Sequence, residues 1–346
     1  MGPRTMHVIG LDIGGANLKA AHADGPAATR PFPLWKRPDH LPDALAELLA
    51  DFPPPDLLAV TMTGELADCF ATKAEGVDAI LRSIEAVAGG VPIAVWQTGG
   101  EFLTPAVARE FPRLVAAANW HALATWAGRI APQGTALLVD IGSTTTDVIP
   151  LSEGVPVPAG LTDRERLQSG ELVYSGVHRT PVYAIAGSVP FRGGVCPLAA
   201  ELFATALDVY LLTGAIAEDP NDLDTANGRP ATVDAAHDRL ARMLCCDRSE
   251  CSAEEARQVA GFLAGVQRAH AAAALKHVRS RLSSPCSHLI LSGSGTFLAE
   301  AVLAHHPALN GVPVVRLNET LGTETSRAAC AFAAARLALE REAICL

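Results

Sequence analysis

The feature that most constrains the fold is a short motif that occurs twice, roughly 130 residues apart. In each copy an apolar run ends on an aspartate, Asp12 or Asp140, and a glycine follows two residues later. The chain then returns to a strand-like pattern, at residues 18–23 and again at 146–151. An apolar strand, a glycine bend and a return strand together predict a β-hairpin. Two such hairpins in one chain indicate a duplicated domain.

Helices and strands alternate in the residues after the first hairpin. Strand-like runs at residues 57–62 and 91–96 enclose residues 75–88, whose apolar side chains have helical spacing. Alternation of this kind is typical of a layered α/β domain.

The length of the chain allows two such domains. Its 346 residues are roughly twice the length of a typical single domain. We predict one domain over residues 1–133, joined by a closing helix at 323–346, and a second domain over residues 134–322. Within the second, the pattern predicts helices over residues 197–212 and 252–281.

Composition excludes several classes of partner. A net charge of −10 disfavours a nucleic-acid backbone, which is bound by clustered lysines and arginines. No apolar run reaches the ~18 residues expected of a membrane-spanning helix. The eight cysteines are scattered, which is typical of reduced thiols in a cytoplasmic protein. The alanine-rich helices leave a homodimer open.

Three glycine turns are the candidate site for phosphate groups: the turn of each hairpin and a third turn after the strand-like run at 287–291. Glycines let successive backbone N–H groups approach an anion. One glycine after a strand is usually only a turn, but three turns in this order are more specific. The candidate phosphate- or nucleotide-binding residues are Gly14, Gly15, Asn17, Lys19, Gly142, Ser143, Thr144, Thr145, Gly293, Ser294 and Gly295. For Lys19, a solvent-facing position on the hairpin is an equal alternative.

The two aspartates at the strand ends are candidate metal ligands. Asp12 and Asp140 can hold Mg²⁺, or a metal-bound water, against the phosphates. A dinucleotide-binding Rossmann turn does not fit, because the chain after Gly15 continues as a strand.

The order of these turns resembles the superfamily of actin, sugar kinases and the 70-kDa heat-shock ATPases. That resemblance implies an α/β fold with two ribonuclease-H-like (actin-like) domains flanking a phosphate-binding cleft. The stretch DIGSTTTDV (140–148) looks most like the hydantoinase/oxoprolinase branch, with Ser143 in place of the usual second glycine.

More narrowly, the chain resembles the proteins of tetrahydromethanopterin-linked C1 transfer and methanofuran biosynthesis. The resemblance is carried by DIGGANLKAA (12–21), MTGELADCFATKAEGV (62–77), NWHALA (119–124), GELVYSGVHRTPV (170–182) and DLDTANGRPAT (222–232). It implies a transferase in which the phenol oxygen of a γ-glutamyltyramine-like or tyrosine-like substrate displaces pyrophosphate from an aminomethylfuran methyl diphosphate. The implied cofactor is Mg²⁺, and the implied partners are those two small molecules.

Two other functions remain open. The same cleft can hold ATP, in a small-molecule kinase or a hydantoinase-like amide hydrolase. A non-catalytic ligand sensor is a third alternative, but it has no need for two carboxylates in a cleft.

The attacking phenol needs a base. Glu65 is the first candidate and Asp147 the second, so the predicted catalytic set is Glu65, Asp140 and Asp147. A carboxylate stabilised by a helix N-terminus is an equal alternative for Glu65. Lys73 is expected on a solvated face or in an ion pair.

The substrate candidates lie in a polar middle segment: Tyr174, His178, Arg179 and Arg192. An arginine there can hold a carboxylate through two hydrogen bonds, although surface ion pairing is its commoner role. Trp120 is expected to pack in the core, and the acidic loop at residues 219–224 to form a turn or lid over the cleft.

Overall fold

A computed structural model describes residues 6–345 of the chain. Its first half is built on a six-stranded sheet in the order β3-β2-β1-β4-β5-β6. Strand β1 is antiparallel to β2 and parallel to β4. The strands are β1 (Val8–Ile13), β2 (Asn17–His22), β3 (Ala27–Pro31), β4 (Leu57–Met62), β5 (Ile93–Trp96) and β6 (Phe102–Leu103).

Helices cover both faces of this sheet. They are α1 (Leu41–Leu49), α2 (Lys73–Val87), α3 (Pro105–Glu110), α4 (Pro112–Val115) and α5 (Asn119–Ala127), with a 3₁₀ turn at Pro38–His40. Every residue of β1 and of β4 is buried, which explains why both strands read as continuous apolar runs.

The second half repeats the arrangement in a sheet ordered β10-β8-β7-β13-β14, with β9 paired to β8. Strand β7 is antiparallel to β8 and parallel to β13. The strands are β7 (Thr135–Ile141), β8 (Thr146–Ser152), β9 (Val155–Pro156), β10 (Leu172–Val173), β13 (Cys286–Ser292) and β14 (Val314–Arg316); β11 (Ser188–Phe191) and β12 (Gly194–Pro197) form a separate hairpin.

The helices of the second half and the C-terminus include the longest element, α10, whose 28 residues confirm the prediction for residues 252–281. The glutamate at position 255 closes a capping box with Ser252 at its start. The helices are α6 (Asp163–Ser169), α7 (Val182–Ile185), α8 (Ala206–Thr213), α9 (Val233–Met243), α10 (Ala253–Ser280), α11 (Thr296–Leu303), α12 (Leu317–Leu321), α13 (Thr323–Arg327) and α14 (Ala329–Cys345). A 3₁₀ turn lies at Pro307–Leu309.

The predicted helix over residues 197–212 is wrong in its first half. Pro197 belongs to β12, and α8 begins only at Ala206. The Asp208 carboxylate accepts a hydrogen bond from the Thr205 N–H at 2.9 Å, which fixes the start of the helix. Leu202, which lies within the predicted helix, is 52% exposed.

The C-terminal helix packs against the sheet of the first half. Helix α14 contacts β1, β4 and α5. Its backbone approaches so closely that a Cβ on Gly10 would lie 1.9 Å from the Ala331 carbonyl oxygen. It is shorter than the closing helix predicted over residues 323–346, because the helical run is interrupted between α13 and α14 at Ala328. The predicted domain limits at residues 1 and 346 lie outside the described residues.

Both sheets share one plan, an antiparallel hairpin followed by parallel strands on its inner edge. The predicted α/β class with two actin-like units is thereby confirmed. None of the helices in residues 6–345 has the length and apolarity needed to cross a membrane.

Candidate active site

The two hairpins turn in the same way. The Gly14 N–H donates to the Asn17 carbonyl at 3.0 Å, and the Gly142 N–H donates to the Thr145 carbonyl at 2.8 Å. A Cβ on Gly14 would lie 2.8 Å from the Asn17 oxygen, so this turn needs glycine. The motif repeat seen in the sequence is therefore also a repeat of backbone geometry.

Asp12 lies next to the last residue of β1 and is almost inaccessible to solvent. Its side chain is 3% exposed, and burial raises its pKa. Its Oδ2 lies 3.8 Å from the Lys19 Nζ, directly across the hairpin, while its Oδ1 is buried without a hydrogen-bond partner in the described chain. An unsatisfied buried carboxylate oxygen is costly unless something binds it.

Lys19 connects the two hairpins electrostatically. Burial lowers the pKa of Lys19, but the negative charges of Asp12 and Asp140 raise it. The net effect is a raised pKa. Lys19 is partly buried and faces the carboxylates, so the solvent-facing alternative is wrong.

Asp140 is the corresponding aspartate of the second hairpin. Burial, followed by the charge of Asp147 on the paired strand, raises the pKa of Asp140 to about 6, and Asp12 adds to the rise. Asp12 and Lys19 of the first half both shift the pKa of Asp140, so the carboxylates at the ends of the two hairpin strands lie near one another.

The third glycine turn rests directly on Asp140. Gly293 follows β13 with a positive φ of +87°, and a Cβ there would lie 2.6 Å from Asp140 Oδ1 and 2.2 Å from the Ile141 carbonyl oxygen. The Gly295 N–H donates to the same carbonyl at 2.8 Å. The turn at Gly293, Ser294 and Gly295 thus packs directly against the end of β7 in the second hairpin.

Replacement of Gly293 by alanine is expected to lower the midpoint of urea denaturation more than the same change at Gly311. Both glycines have positive φ, +87° and +78°, so both variants carry backbone strain of roughly 1–2 kcal/mol. Only Gly293 adds a clash, because the space around Gly311 is open. Equal shifts in the two variants would show that the third turn moves freely away from Asp140.

A loop from the middle of the chain forms backbone hydrogen bonds with the second hairpin turn. The Val177 N–H donates to the Gly142 carbonyl, and the N–H groups of His178 and Arg179 donate to the Ser143 carbonyl, each at 3.0 Å. The structure therefore brings His178 and Arg179 beside the turn. The Ser143 hydroxyl is buried and has no partner among the described residues.

Asp147, the second candidate base, is already engaged. Its Oδ1 accepts a hydrogen bond from Arg166 at 2.7 Å, and its Oδ2 accepts one from the Thr145 hydroxyl at 3.3 Å. The Arg166 guanidinium also lies over the Trp120 ring, 3.8 Å from its centroid. Asp147 is better placed to orient the hairpin than to accept a proton.

Glu65 lies beside the first hairpin, immediately after β4. The preceding residue, Gly64, donates its N–H to the Ile13 carbonyl at 2.9 Å. Glu65 does not start a helix: α2 begins at Lys73, and the acidic residue in its first turn is Glu75. The helix-dipole alternative for Glu65 is therefore wrong.

The environment of Glu65 suits a proton acceptor. The side chain is 1% exposed, and burial raises its pKa to about 7. The Lys73 Nζ lies 3.8 Å from the Glu65 Oε1 and lowers the pKa of Glu65. Asp163, in the other half of the chain, raises it. The Glu65 Oε2 has no hydrogen-bond partner in residues 6–345. The predicted ion pair of Lys73 is confirmed, whereas no sequence motif indicated the contribution of Asp163.

The remaining substrate candidates separate into two groups. The His178 Nε2 lies 3.9 Å from the Asp222 Oδ2 in the acidic loop. Tyr174 is 66% exposed next to the second hairpin's edge strand. Arg192 is not part of this group, because its guanidinium is paired with Glu255 on the surface at 2.7 Å. We therefore exclude Arg192 from the site.

Comparison with known proteins places this arrangement in a family. The sequence profile described as hydantoinase/oxoprolinase matches residues 56–340. A protein of Methanocaldococcus jannaschii named (4-{4-[2-(gamma-L-glutamylamino)ethyl]phenoxymethyl}furan-2-yl)methanamine synthase is 34% identical over 95% of this chain and 97% of its own length. A protein of the same name from Methanococcus vannielii is 29% identical over 57% of this chain and 87% of its own length.

Among solved structures, the nucleotide-free structure of acetone carboxylase superimposes with a TM-score of 0.52 at 11% sequence identity. The match covers 95% of this chain and 70% of that one, and it shows a shared fold alone. By the profile match and the full-length similarity to the first relative, the chain belongs to the hydantoinase/oxoprolinase family.

Proposed function

We propose that this protein joins the phenol oxygen of a γ-glutamyltyramine-like substrate to the methyl carbon of an aminomethylfuran methyl diphosphate, as a transferase of methanofuran biosynthesis. A C–O bond forms between phenol and methylene, the bond from the methylene to the diphosphate breaks, and the phenol proton passes to a base. The relative that is 34% identical is named for a phenoxymethylfuran, the ether that this reaction would make. The free state of the seven described cysteines supports a cytoplasmic setting.

The observation that carries the proposal is the closeness of Asp12, Lys19 and Asp140, which belong to the two glycine-turn hairpins and shift one another's pKa. A leaving diphosphate develops negative charge, which preorganised N–H donors and a lysine stabilise. The N–H groups of Gly14 and Gly142 close their own turns, so the N–H groups of Gly15, Ser143 and Thr144 are the candidate backbone donors. Lys19 supplies a positive charge.

The carboxylates fit a magnesium ion that is bound together with a diphosphate. Mg²⁺ is usually held by one or two carboxylates and by substrate phosphates rather than by a complete protein cage. Asp12 offers a buried, unpartnered oxygen, and Asp140 faces it. Within residues 6–345 no group of three or more potential ligands forms a closed metal site. When bound, the ion would neutralise charge on the leaving group.

Glu65 takes the phenol proton in this proposal. A phenol has a pKa of about 10, so it loses its proton only as it attacks and only with an acceptor in place. With its pKa raised to about 7, Glu65 is a stronger base than an exposed glutamate, and about half of it is ionised at neutral pH. Lys73 stabilises that ionised form.

The direct test is incubation of the purified protein with Mg²⁺, the furan diphosphate and γ-glutamyltyramine. We expect the ether by mass spectrometry and one pyrophosphate for each ether formed. Consumption of ATP with a small amine or a hydantoin, and no turnover of the furan diphosphate, would instead identify a kinase or an amide hydrolase.

A further inference from the structure

Three cations on segments that contact the two hairpin turns lack acidic partners among the described residues. Within residues 6–345, Lys36, Arg37 and Arg179 form no ion pair and donate no side-chain hydrogen bond. Other arginines of this chain, which has a net charge of −10, are paired with carboxylates, among them Arg166 and Arg239. Unpaired basic side chains grouped at a cleft are available to bind an anion.

The fold brings these cations together from opposite halves of the chain. The Leu34 N–H donates to the Gly15 carbonyl at 2.9 Å, so the turn that follows it sits against the first hairpin. Arg179 is fixed against the second hairpin by its own N–H. The two segments meet at Trp35, where the Arg179 guanidinium lies 5.0 Å from the ring centroid.

Trp35 holds Arg179 without neutralising it. A cation over an aromatic face is attracted by the ring, but the N–H edges of a guanidinium in that position stay free for hydrogen bonds. Lys36 lies 5.9 Å from the same ring centroid. Trp35 and Arg179 are half-buried, whereas Lys36 and Arg37 are exposed, so the group is accessible from solvent.

We propose that Lys36, Arg37 and Arg179 bind the carboxylate end of the phenolic acceptor, and that Trp35 is a positioning residue for Arg179. This inference rests on the proposed function. The phenol oxygen must meet the furan methylene where the hairpins hold the diphosphate. The substituent on the opposite side of the phenol ring therefore points outward, toward the mouth. A γ-glutamyl group carries its free α-carboxylate there, and the planar fork of an arginine matches a carboxylate.

The test compares two acceptors, γ-glutamyltyramine and tyramine, which has the same phenol but no carboxylate. In Arg179→Gln we expect the ratio of kcat/KM for the glutamyl acceptor over that for tyramine to fall by about ten-fold. The change should appear in KM for the glutamyl acceptor rather than in kcat. Trp35→Leu should lower the ratio in the same direction, and Trp35→Phe should retain most of it, because phenylalanine keeps an aromatic face.

Arg113→Gln is the matched control, since Arg113 is also exposed and unpaired in the described chain but lies on α4. It should leave the ratio unchanged. A rise in KM for the furan diphosphate in Arg179→Gln, with an unchanged acceptor ratio, would overturn the proposal and assign Arg179 to the diphosphate.

Direct binding separates this proposal from the proposed function. If the wild-type protein makes no ether, the proposed function fails, and calorimetric titration with γ-glutamyltyramine still decides the inference. Binding that weakens about ten-fold in Arg179→Gln supports it. Equal binding to both proteins, or no binding to the wild type, overturns it.

Discussion

Asp140→Asn is expected to lower kcat for ether formation by about 10³-fold, because it removes a fixed negative charge where the diphosphate and its cation are held. The side chain keeps its shape, so the close packing of Gly293 against it is retained. The change also removes one of a group of mutually repelling carboxylates, since Asp147 and Asp12 both raise the pKa of Asp140. We therefore expect no loss of stability.

The measurement is steady-state ether formation alongside circular dichroism and urea denaturation of the same preparation. Asp43→Asn is the control, because Asp43 is an exposed aspartate in the first turn of α1, on the surface of the first half. Full activity of Asp140→Asn would remove Asp140 from the mechanism. Loss of activity together with a lower denaturation midpoint would show that its role is structural.

The hairpins were predictable because each is encoded locally. An apolar strand, an aspartate and a glycine within a few residues determine the turn, and the same signals occur at Asp12 and Asp140. That the two hairpins lie close together was expected only from the order of the motifs. The structure adds what the order cannot give, namely that Lys19 acts on both carboxylates.

The surroundings of the candidate base were not predictable in the same way. Asp163 and Arg166 belong to α6, which has no motif that points to Glu65 or Asp147, and they reach the site only through tertiary packing. Trp35 was missed for the same reason, since its partner Arg179 lies far away in the sequence. Arg192 is the opposite case. Its neighbours in the sequence resembled a binding segment, but the fold pairs it with Glu255.

Glu65→Gln is expected to lower kcat by roughly 10²–10⁴-fold, the usual contribution of a general base. Glutamine fills the same buried space and can donate or accept a hydrogen bond, but it cannot take the phenol proton. Glu47→Gln, an exposed change on α1, is the control and should leave kcat unaltered.

The pH profile identifies the group. In the wild type, Glu65 must be ionised to act, so the rate should rise with pH through about 7, where burial has placed its pKa. Lys73 favours the ionised form, so Lys73→Met should move this rise to higher pH. In Glu65→Gln the residual rate should no longer follow that ionisation. If the rise near pH 7 persisted in Glu65→Gln, another group would have to supply the base, and the buried carboxylate beside the first hairpin would serve only to pair with Lys73.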